Sequence, residues 1–492
     1  MKTFIIKYLS VLSVLLAGLG LMLAGRAVAQ TFTTLHSFTV SDGDSPIGGV
    51  MLSSNTLYGT TQFGGTNGNG TVFAVNINGT GFTVPYTFTA LDAATESTNS
   101  DGADSKSPLI LLSNTLYGTA SEGGTHGNGT VFAVNTNGKG FTVLHAFTAF
   151  SGFNDINSDG ANPQWGFVLS GNTLYGTAFY GGSSGEGTLF AVNVDGTGFT
   201  NLYSFTGGSD GANPSCDLIL SGNMLYGTAV NGGSSGKGTV FKVNTNGTGF
   251  TTLHSFTATT FSGSAYTNGD GAFPEAGLIL SGNTLYGTAY DGGANGNGTV
   301  FAVNTNGTGF TVLHAFTALD LATETTNSDG ANPECDLILA GDTLYGTTVY
   351  GGSSGEGTVF AVNTNDTGFT VLHTFTAISG VNDTNSDGAY PYAGLILSGN
   401  TLYGTASAGG SYGYGTVFSL SLPLPQLTII SAGANVILTW PTNATGFTLE
   451  FATNLVSPTI WNTNSTKSVV ISRQNVVINP ITGPQMFFRL SQ

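Results

Sequence analysis

The chain has 492 residues, 40% of them hydrophobic, with 8% charged side chains and a formal net charge of −17. A chain this acidic repels phosphate backbones, which argues against nucleic acid as a partner. It is too apolar for a disordered protein, and its 75 glycines lack the strict period of collagen. The length allows two or three domains, and the glycine content favours short strands joined by tight turns.

Residues 1–29 have the pattern of a secretory signal peptide. They comprise the basic start "MKTFIIK", an apolar run over residues 8–25 and the small-residue sequence Ala27-Val28-Ala29 before Gln30. Cleavage follows such a sequence in exported proteins. The alternative is an uncleaved membrane anchor, because about 18 apolar residues nearly span a bilayer. We expect cleavage, and therefore a secreted, cell-surface or periplasmic protein without a membrane span.

One phrase recurs through residues 31–422, and its centre "LYGT" occurs seven times. From the Asp of a preceding "DG" pair to the residue before "LYGT" the distance is 14 residues in all seven copies. The length varies only between the last Phe of a phrase such as "LHTFT" and the next "DG". These gaps are 4, 13, 12, 5, 14, 13 and 12 residues long.

Each copy predicts four strands, which we name a ("GLILSG"), b ("NTLYGTA"), c ("GTVFAVNTN") and d ("GFTVLHAFT"). They are rich in Val, Leu, Phe and Thr and are bounded by Gly and Asn turns. Seven such units predict an all-β fold, a seven-bladed β-propeller over residues 30–422. An open β-solenoid and a string of separate small sheets are the alternatives.

The two ends of the repeat region favour a closed ring. The seventh copy stops after strand c, at "GTVFSLSLP", whereas residues 31–40, "TFTTLHSFTV", are a strand d without the rest of a copy. If this N-terminal strand pairs with strand c of the last copy, it completes the seventh blade. An open array has no use for such a fragment.

Residues 423–492 follow the last repeat and predict a second, smaller domain. They hold about seven further strand patterns, including "NVILTWP" and "GFTLEFAT". We expect a small β-sandwich, and the "LTWP…FTLEFATN" phrase is similar to fibronectin type III modules.

The phrase "LYGTTVYGGSSGEGTVFAVNTNDTGFTVLHTFT" resembles the GloVer tandem repeat of exported bacterial proteins. The resemblance recurs across residues 31–422. It implies a secreted or surface repeat protein of a bacterium, with no catalytic residues to carry over.

One slot of strand d holds a histidine in five copies and a tyrosine in two. This alternation predicts a structural ring with a polar tip, not a metal site, because the histidines belong to different blades. The slot comprises His36, Tyr86, His145, Tyr203, His254, His314 and His373.

Two loops before "DG" match the first half of a calcium-binding loop, with oxygen ligands at alternate positions and Gly at the sixth. Both have Gly, not Glu, at the twelfth position, and a polar turn is the alternative reading. Calcium is the one cofactor considered, with the candidate ligands Asp155, Asn157, Asp159, Asp383, Asn385 and Asp387.

The sixth residue after each "DG" Asp varies between copies: Gly48, Ser107, Trp165, Cys216, Ala276, Cys335 and Ala393. In a propeller strand a is innermost, so we expect this slot to face the central channel. The cysteines lie a whole blade apart, too far for a disulfide, so we expect free thiols. Trp165 is expected to plug the channel or to stack on a ligand.

The b–c and d–a loops share one face of a propeller, and variation confined to one face of a rigid scaffold is typical of binding sites. Aromatic rings mixed with polar groups suit sugars. Besides Trp165, the candidate ligand-binding residues on this face are Gln164, Lys106, Tyr392, Phe63, Tyr180 and Tyr350.

Glu275 and Glu334 occupy equivalent positions in adjacent blades, and a carboxylate pair about 5 to 9.5 Å apart can cleave glycosides. We nevertheless expect a non-catalytic, monomeric binding protein whose partner is a polysaccharide or another surface protein. A carbohydrate-active hydrolase or lyase is the first alternative, and a structural envelope repeat protein is the second.

Overall fold

The computed structural model describes residues 30–151, 154–263, 265–442, 447–455, 459–471, 474–481 and 485–491. The predicted signal peptide lies outside these residues. The described chain is all-β. Within these ranges, no helix has the length and apolar character needed to cross a membrane.

The repeats form seven four-stranded antiparallel sheets in the described residues, numbered here by copy, with the predicted order a–b–c–d. Strands b and c pair in register over six residues in every sheet, as from Thr284 opposite Asn304 to Ala289 opposite Thr299. The c–d turns use glycines such as Gly247, with φ 80°, a conformation that costs glycine little.

The strands of sheets 1 to 3, from a to d, are Val50–Ser53, Thr56–Thr61, Thr71–Asn76 and Thr83–Thr87; Ile110–Leu112, Thr115–Ala120, Thr130–Asn135 and Thr142–Ala146; Val168–Ser170, Thr173–Ala178, Thr188–Asn193 and Thr200–Ser204. Those of sheets 4 to 6 are Ile219–Ser221, Met224–Ala229, Thr239–Asn244 and Thr251–Ser255; Ile279–Ser281, Thr284–Ala289, Thr299–Asn304 and Thr311–Ala315; Ile338–Ala340, Thr343–Thr348, Thr358–Asn363 and Thr370–Thr374. The d–a loop before sheet 5 contains a separate hairpin, Thr260–Ser262 and Ala265–Thr267.

The seventh sheet takes its strand d from the other end of the repeat region. Its strands are Ile396–Ser398, Thr401–Ala406, Thr416–Ser421 and the N-terminal strand Thr31–Ser37. Thr31 lies opposite Ser421 and Ser37 opposite Thr416, with a bulge between Thr34 and His36. The strand ends three residues before the predicted residue 40. The same bulge interrupts the c–d pairing of the other sheets, so the N-terminal strand takes the place of an ordinary strand d.

The hydrophobic core is divided into clusters that each lie between two consecutive sheets. The last of these clusters joins sheet 7 to sheet 1 through Phe38, Phe73, Tyr403 and Val417, among others. Sheets 1 and 2, and each following pair, share the other six clusters. The contacts between sheets therefore run from sheet 1 round to sheet 1 again.

Hydrogen bonds from the "LYGT" threonines repeat this sequence of contacts. Six of these hydroxyls donate to a carbonyl just before strand a of the next sheet, at 2.7–3.2 Å, as Thr228 Oγ1 does to Ala276 O. The seventh, Thr405 of sheet 7, is buried and has no hydrogen-bond partner among the described residues. The junction between sheets 7 and 1 therefore packs like the others but lacks this bond.

The residues after the repeats form two further sheets. One has the strand order Thr428–Ala432, Asn435–Pro441, Gln474–Pro480 and Val469–Ile471, and the other the order Asn462–Thr463, Thr448–Ala452 and Phe487–Ser491. A core of Leu438, Trp440, Leu449 and Val477 is shared between them. The likeness to fibronectin type III stays a prediction.

Candidate binding face

The b–c and d–a loops lie together on one face of the sheets. In each copy the "DG" segment and the residue before the b–c "GG" form an isolated antiparallel bridge: Asp44–Phe63, Ala103–Glu122, Ala161–Tyr180, Ala212–Asn231, Ala272–Asp291, Ala331–Tyr350 and Ala389–Ala408. The loop that varies in length and the glycine-rich loop are therefore neighbours, as the sequence predicted.

The histidine or tyrosine of strand d binds the "DG" aspartate of the following copy. In four copies the His Nε2 lies 2.8–3.0 Å from an Asp Oδ2, and the Tyr86 and Tyr203 hydroxyls donate to Asp101 and Asp210 at 2.6 and 2.9 Å. His36 lies farther from Asp42, at 3.2 Å. These hydrogen bonds hold the pKa values of Asp159, Asp270 and Asp387 below the usual range.

The same rings stack on a phenylalanine of the next sheet, with centroids 3.5–4.1 Å apart. Six of these phenylalanines precede strand d of their own copy. The stack on His373 uses Phe32 of the N-terminal strand, and the N-terminal His36 stacks on Phe82. We call this series of seven ring pairs and their aspartates the outer belt. The predicted structural role of the His/Tyr slot is thereby confirmed.

The candidate calcium ligands have other partners. Asp159 accepts bonds from the Thr148 N–H and hydroxyl as well as from His145. Asn157 Oδ1 accepts bonds from the Gly160 and Gly182 N–H groups. Asp387 and Asn385 repeat this pattern, while Asp155 and Asp383 are exposed turn residues. The described residues hold no group of three or more metal-ligating side chains. Calcium binding stays a prediction that would require Asp159 and Asp387 to leave their donors.

The slot six residues after the "DG" Asp does not face a channel, contrary to the prediction. Cys216 and Cys335 belong to core clusters between sheets, and each sulfur lies against a strand-b threonine backbone, at 3.3 and 2.9 Å from the N–H. Successive side chains of an extended chain point to opposite sides, so the neighbouring positions face inward instead. Both thiols are free, as predicted.

Trp165, in the same slot, is 8% exposed and is wrong as a ligand-stacking residue. Its indole N–H donates to Ser215 Oγ of the next copy at 2.5 Å, and its carbonyl accepts from Thr119. The buried indole thus bonds to sheet 4 and the backbone carbonyl to sheet 2, and the ring offers no face to a ligand.

The position one residue later holds a feature that the sequence analysis missed. Gly49, Pro108, Gly166, Gly277 and Gly394 occupy it in five copies, but Asp217 and Asp336 stand there in the other two. Gly166 N–H donates to Asp217 Oδ1 at 2.6 Å, and Gly277 N–H to Asp336 Oδ1 at 2.5 Å. A Cβ on Gly277 would lie 2.7 Å from Asp217 O and 2.9 Å from Asp336 Oδ1, so the three segments meet closely.

Asp217 and Asp336 hydrogen-bond to each other. Burial and the facing carboxylate raise the pKa of Asp217 well above its usual range, and burial raises that of Asp336. Burial and the facing carboxyl group thus favour the protonated form of Asp217. The signal was present in the sequence as "CD" in two copies where the other copies have Gly or Pro.

Glu275 and Glu334 form a second carboxyl pair, one position before the slot of the cysteines. They hydrogen-bond to each other, and burial raises the pKa of Glu275 to about 7 and that of Glu334 well above its usual range. Lys106, from sheet 2, lies close enough to oppose the shift of Glu334. The structure thus brings together these three predicted residues. We call Asp217, Asp336, Glu275 and Glu334 the central acidic cluster.

Tyrosines surround the glutamate pair. Tyr392 hydrogen-bonds to Tyr350, and their neighbours Glu334 and Tyr290 help to raise the pKa of Tyr392. Tyr350 is 36% exposed, as are Phe63 and Tyr180 at 45% and 39% in equivalent b–c loop positions of other copies. Gln164 is half-buried. Except for Trp165, the predicted ligand-binding residues are therefore accessible at least in part, although they belong to five different copies.

The repeat phrase, now placed on all seven sheets, matches a known family. The model of the Gloeobacter/Verrucomicrobia repeat matches residues 17–156, 149–326 and 264–435. The chain belongs to this repeat family. The match covers the seven sheets of the Gloeobacter/Verrucomicrobia repeat and ends at residue 435, within the first of the two C-terminal sheets. No curated protein matches the sequence.

Solved structures similar to this member of the repeat family are distant. A GH74 enzyme of Niastella koreensis shows 13% identity, a TM-score of 0.42 and coverage of 84% of this chain and 59% of its own. A putative 6-phosphogluconolactonase of Bacteroides uniformis shows 14% identity and a TM-score of 0.41, with coverage of 88% of this chain and 98% of its own. A puromycin-hydrolyzing peptidase of Mycobacterium tuberculosis shows 11% identity and a TM-score of 0.45, with coverage of 84% of this chain and 61% of its own. Similarities this low carry no argument about function.

Proposed function

We propose that the seven sheets are the blades of a β-propeller closed by the N-terminal strand, and that residues 423–492 form a fibronectin-III-like β-sandwich. The shared core of sheets 7 and 1 supports closure, as do the stacks of Phe32 and His36 on both neighbouring sheets. The core common to the two C-terminal sheets supports the sandwich.

We infer that the protein is a secreted or cell-surface, non-catalytic binding protein with a polysaccharide as ligand. The observation that carries this inference is the one-sided distribution of exposed rings. Phe63, Tyr180 and Tyr350 project from b–c loops that are bridged to the "DG" segments, and Tyr350 lies beside Tyr392 and the glutamate pair. Such mixed surfaces suit the C–H faces and hydroxyls of sugars.

A glycan array with the chain from residue 30 onward tests this function. We expect binding to one polysaccharide class, and we expect Tyr350→Ala to weaken it about tenfold, the range for losing one stacked ring at about 1.4 kcal/mol. Ile429→Ala, an exposed C-terminal position, is the control and should leave binding unchanged. Absence of binding to any glycan would favour a structural envelope protein.

A carbohydrate-active hydrolase or lyase is the second candidate, because the raised pKa of Glu275, about 7, suits a general acid. Against it stands the direct hydrogen bond between Glu275 and Glu334, since glycosidases keep the two groups about 5 Å or more apart to admit the sugar. A reducing-sugar assay on bound glycans, with Glu334→Gln as the comparison, decides between them. Release of sugar that the variant abolishes would establish the enzyme.

A further inference from the structure

One copy of the outer belt differs from the other six. In those six, the "DG" aspartate accepts three bonds: from the His or Tyr ring, from the N–H of the Thr that follows the last Phe of the repeat phrase, and from the hydroxyl of that Thr. Asp387, for example, binds His373 and both groups of Thr376. The same set recurs at Asp101, Asp159, Asp210, Asp270 and Asp329.

Asp42 keeps fewer of these partners. It accepts the Thr39 N–H at 2.7 Å, but the Thr39 hydroxyl bonds to Ser41 instead. The contact with His36 is 3.2 Å long and lacks hydrogen-bond geometry, so the buried His36 Nε2 has no hydrogen-bond partner among the described residues. The Asp42 side chain is 24% exposed, against 6–10% for the aspartates paired with the other four histidines.

The cause lies in the sequence. The gap from the last Phe of the repeat phrase, here Phe38, to the "DG" Asp is four residues, the shortest of the seven. Asp42 and Gly43 therefore close a tight turn onto the Thr39 carbonyl, which leaves the Thr39 hydroxyl unable to reach the carboxylate. A gap of five residues, before Asp210, already restores all three bonds.

A cavity of about 560 Å³ opens beside this aspartate. Its lining includes Thr34, His36, Asp42, Ser386, Ser411 and Tyr412, which belong to the N-terminal strand and to the loops on either side of sheet 7. Tyr412 is 55% exposed, and the equivalent b–c loop position holds Asn, His or Ser in the other copies. The junction of the seventh and first copies thus combines an open acceptor, several hydroxyls and an accessible ring.

We propose that this cavity is a saccharide subsite, in which Asp42 accepts bonds from sugar hydroxyls and the Tyr412 ring packs on the C–H face of a neutral pyranose. A carboxylate with unused acceptor capacity accepts bonds from sugar hydroxyls, and an exposed aromatic ring packs on the C–H face of a sugar. Burial lowers the pKa of His36, so the ring is neutral near pH 7 and its Nε2 can donate or accept a bond. The proposal rests on the proposed polysaccharide-binding function and assigns one subsite of it.

The test uses immobilised hexasaccharides of β-1,4-linked glucose, xylose and mannose and the chain from residue 30 onward. Tyr412→Ser, which installs the residue of the third, fourth and sixth copies, and Asp42→Asn should each weaken binding about tenfold or more. Tyr266→Ser, on the exposed hairpin, and Asp195→Asn, on a c–d turn, are the matched controls. Both should bind as the unaltered chain does, and melting curves confirm that all four variants fold.

The outcomes separate the two claims. Binding that survives both Tyr412→Ser and Asp42→Asn, but falls with Tyr350→Ala, would overturn the subsite and leave the binding function intact. No binding by the unaltered chain to these hexasaccharides or to any glycan would overturn both. Loss of binding in Tyr266→Ser to the same extent as in Tyr412→Ser would also overturn the assignment, since it would move the ligand to the hairpin.

Discussion

The outer belt and the central acidic cluster use carboxyl groups in opposite ways. In the belt, the aspartates accept hydrogen bonds from His, Tyr and Thr, and these bonds hold the pKa of Asp159, Asp270 and Asp387 below the usual range. In the cluster, carboxyl groups from different copies face one another, and burial together with the facing carboxyl group raises the pKa of Asp217 and Glu334. The belt recurs in every copy, with fewer bonds at Asp42, whereas the cluster exists only where copies diverge.

This difference separates residues that hold the sheets together from residues free to serve another purpose. A carboxyl group whose pKa is lowered on folding stabilises the fold near neutral pH, and one whose pKa is raised opposes folding there. Each belt unit joins two sheets through a ring stack, and in six of the seven units the ring also hydrogen-bonds to an aspartate. The raised pKa values of the cluster oppose folding at neutral pH, so these residues are not explained by stability alone.

The largest expected effect tests whether the N-terminal strand is packed as firmly as strand d of the other sheets. Phe38 and Phe316 fill the same slot and are both fully buried. We expect Phe38→Ala and Phe316→Ala to lower the free energy of unfolding by the same amount, about 3–5 kcal/mol. Denaturant unfolding measures both. A much smaller loss for Phe38→Ala would mean that the N-terminal strand frays and that the ring is open.

The second effect tests the cluster through pH. Because the pKa of Asp217 is raised on folding, the folded chain holds a proton that the unfolded chain releases above about pH 4. The free energy of unfolding should therefore fall as the pH rises from 4 toward neutrality. Asp217→Asn imitates the protonated carboxyl group and should raise the free energy of unfolding at pH 8 by about 1–3 kcal/mol. A free energy of unfolding that depends on pH in the variant as it does in the unaltered chain would contradict the raised pKa of Asp217.

The belt should show the reverse dependence at acid pH. Asp159, Asp270 and Asp387 have lowered pKa values in the folded chain, so the unfolded chain takes up protons first as the pH falls below about 4. The free energy of unfolding should then decrease toward acid pH. Thermal melts between pH 2 and 5 measure this loss, and a melting temperature that rises over this range of falling pH would exclude a stabilising belt.

A smaller effect separates stacking from hydrogen bonding within the belt. His145→Phe keeps a ring on Phe199 but loses the bond to Asp159, and should cost about 1–2 kcal/mol. His145→Tyr restores a donor, as Tyr86 and Tyr203 provide in their copies, and should cost less than about 1 kcal/mol. Equal losses in denaturant unfolding for the two variants would show that the stack alone matters.

The smallest expected effect concerns the thiols. Burial raises the pKa of Cys216 to about 12 and that of Cys335 to about 11, so neither forms a thiolate at neutral pH. A thiol reagent should label no cysteine of the folded chain and both in denaturant. Fast labelling of the folded chain would show that the cores between sheets 3 and 4 and between sheets 5 and 6 open readily.

The architecture was predictable because the residue pattern of each repeat indicates its four strands and the turns between them. "LYGT", the "DG" spacing and the orphan strand d gave the sheets, their order and the pairing of residues 31–37 with 416–421. The slot containing the cysteines was assigned to the wrong side because the phase of alternation before strand a depends on the Pro turn that precedes it. The wrong prediction for Trp165 followed from the same error.

The carboxyl pairs were only half predictable. Glu275 and Glu334 stood out by equivalence in adjacent copies, but Asp217 and Asp336 are two copies apart, and their contact depends on Gly277 leaving room between them. The unused acceptor capacity of Asp42 was not predicted, although the short gap that causes it is visible in the sequence. A gap of four residues indicates only a shorter loop. The hydrogen bonds that this loop lacks become apparent only by comparison with the other six copies.

The pairing of Thr31–Ser37 with Thr416–Ser421 has a consequence for the order of folding. Most sheets can form as soon as their own copy has been synthesised, because their contacts are local. The seventh sheet joins strands almost 400 residues apart, and contacts of such sequence separation are slow to form. Strand Thr31–Ser37 therefore has no partner strand until the seventh copy is present. The seventh sheet is the last to acquire all four of its strands.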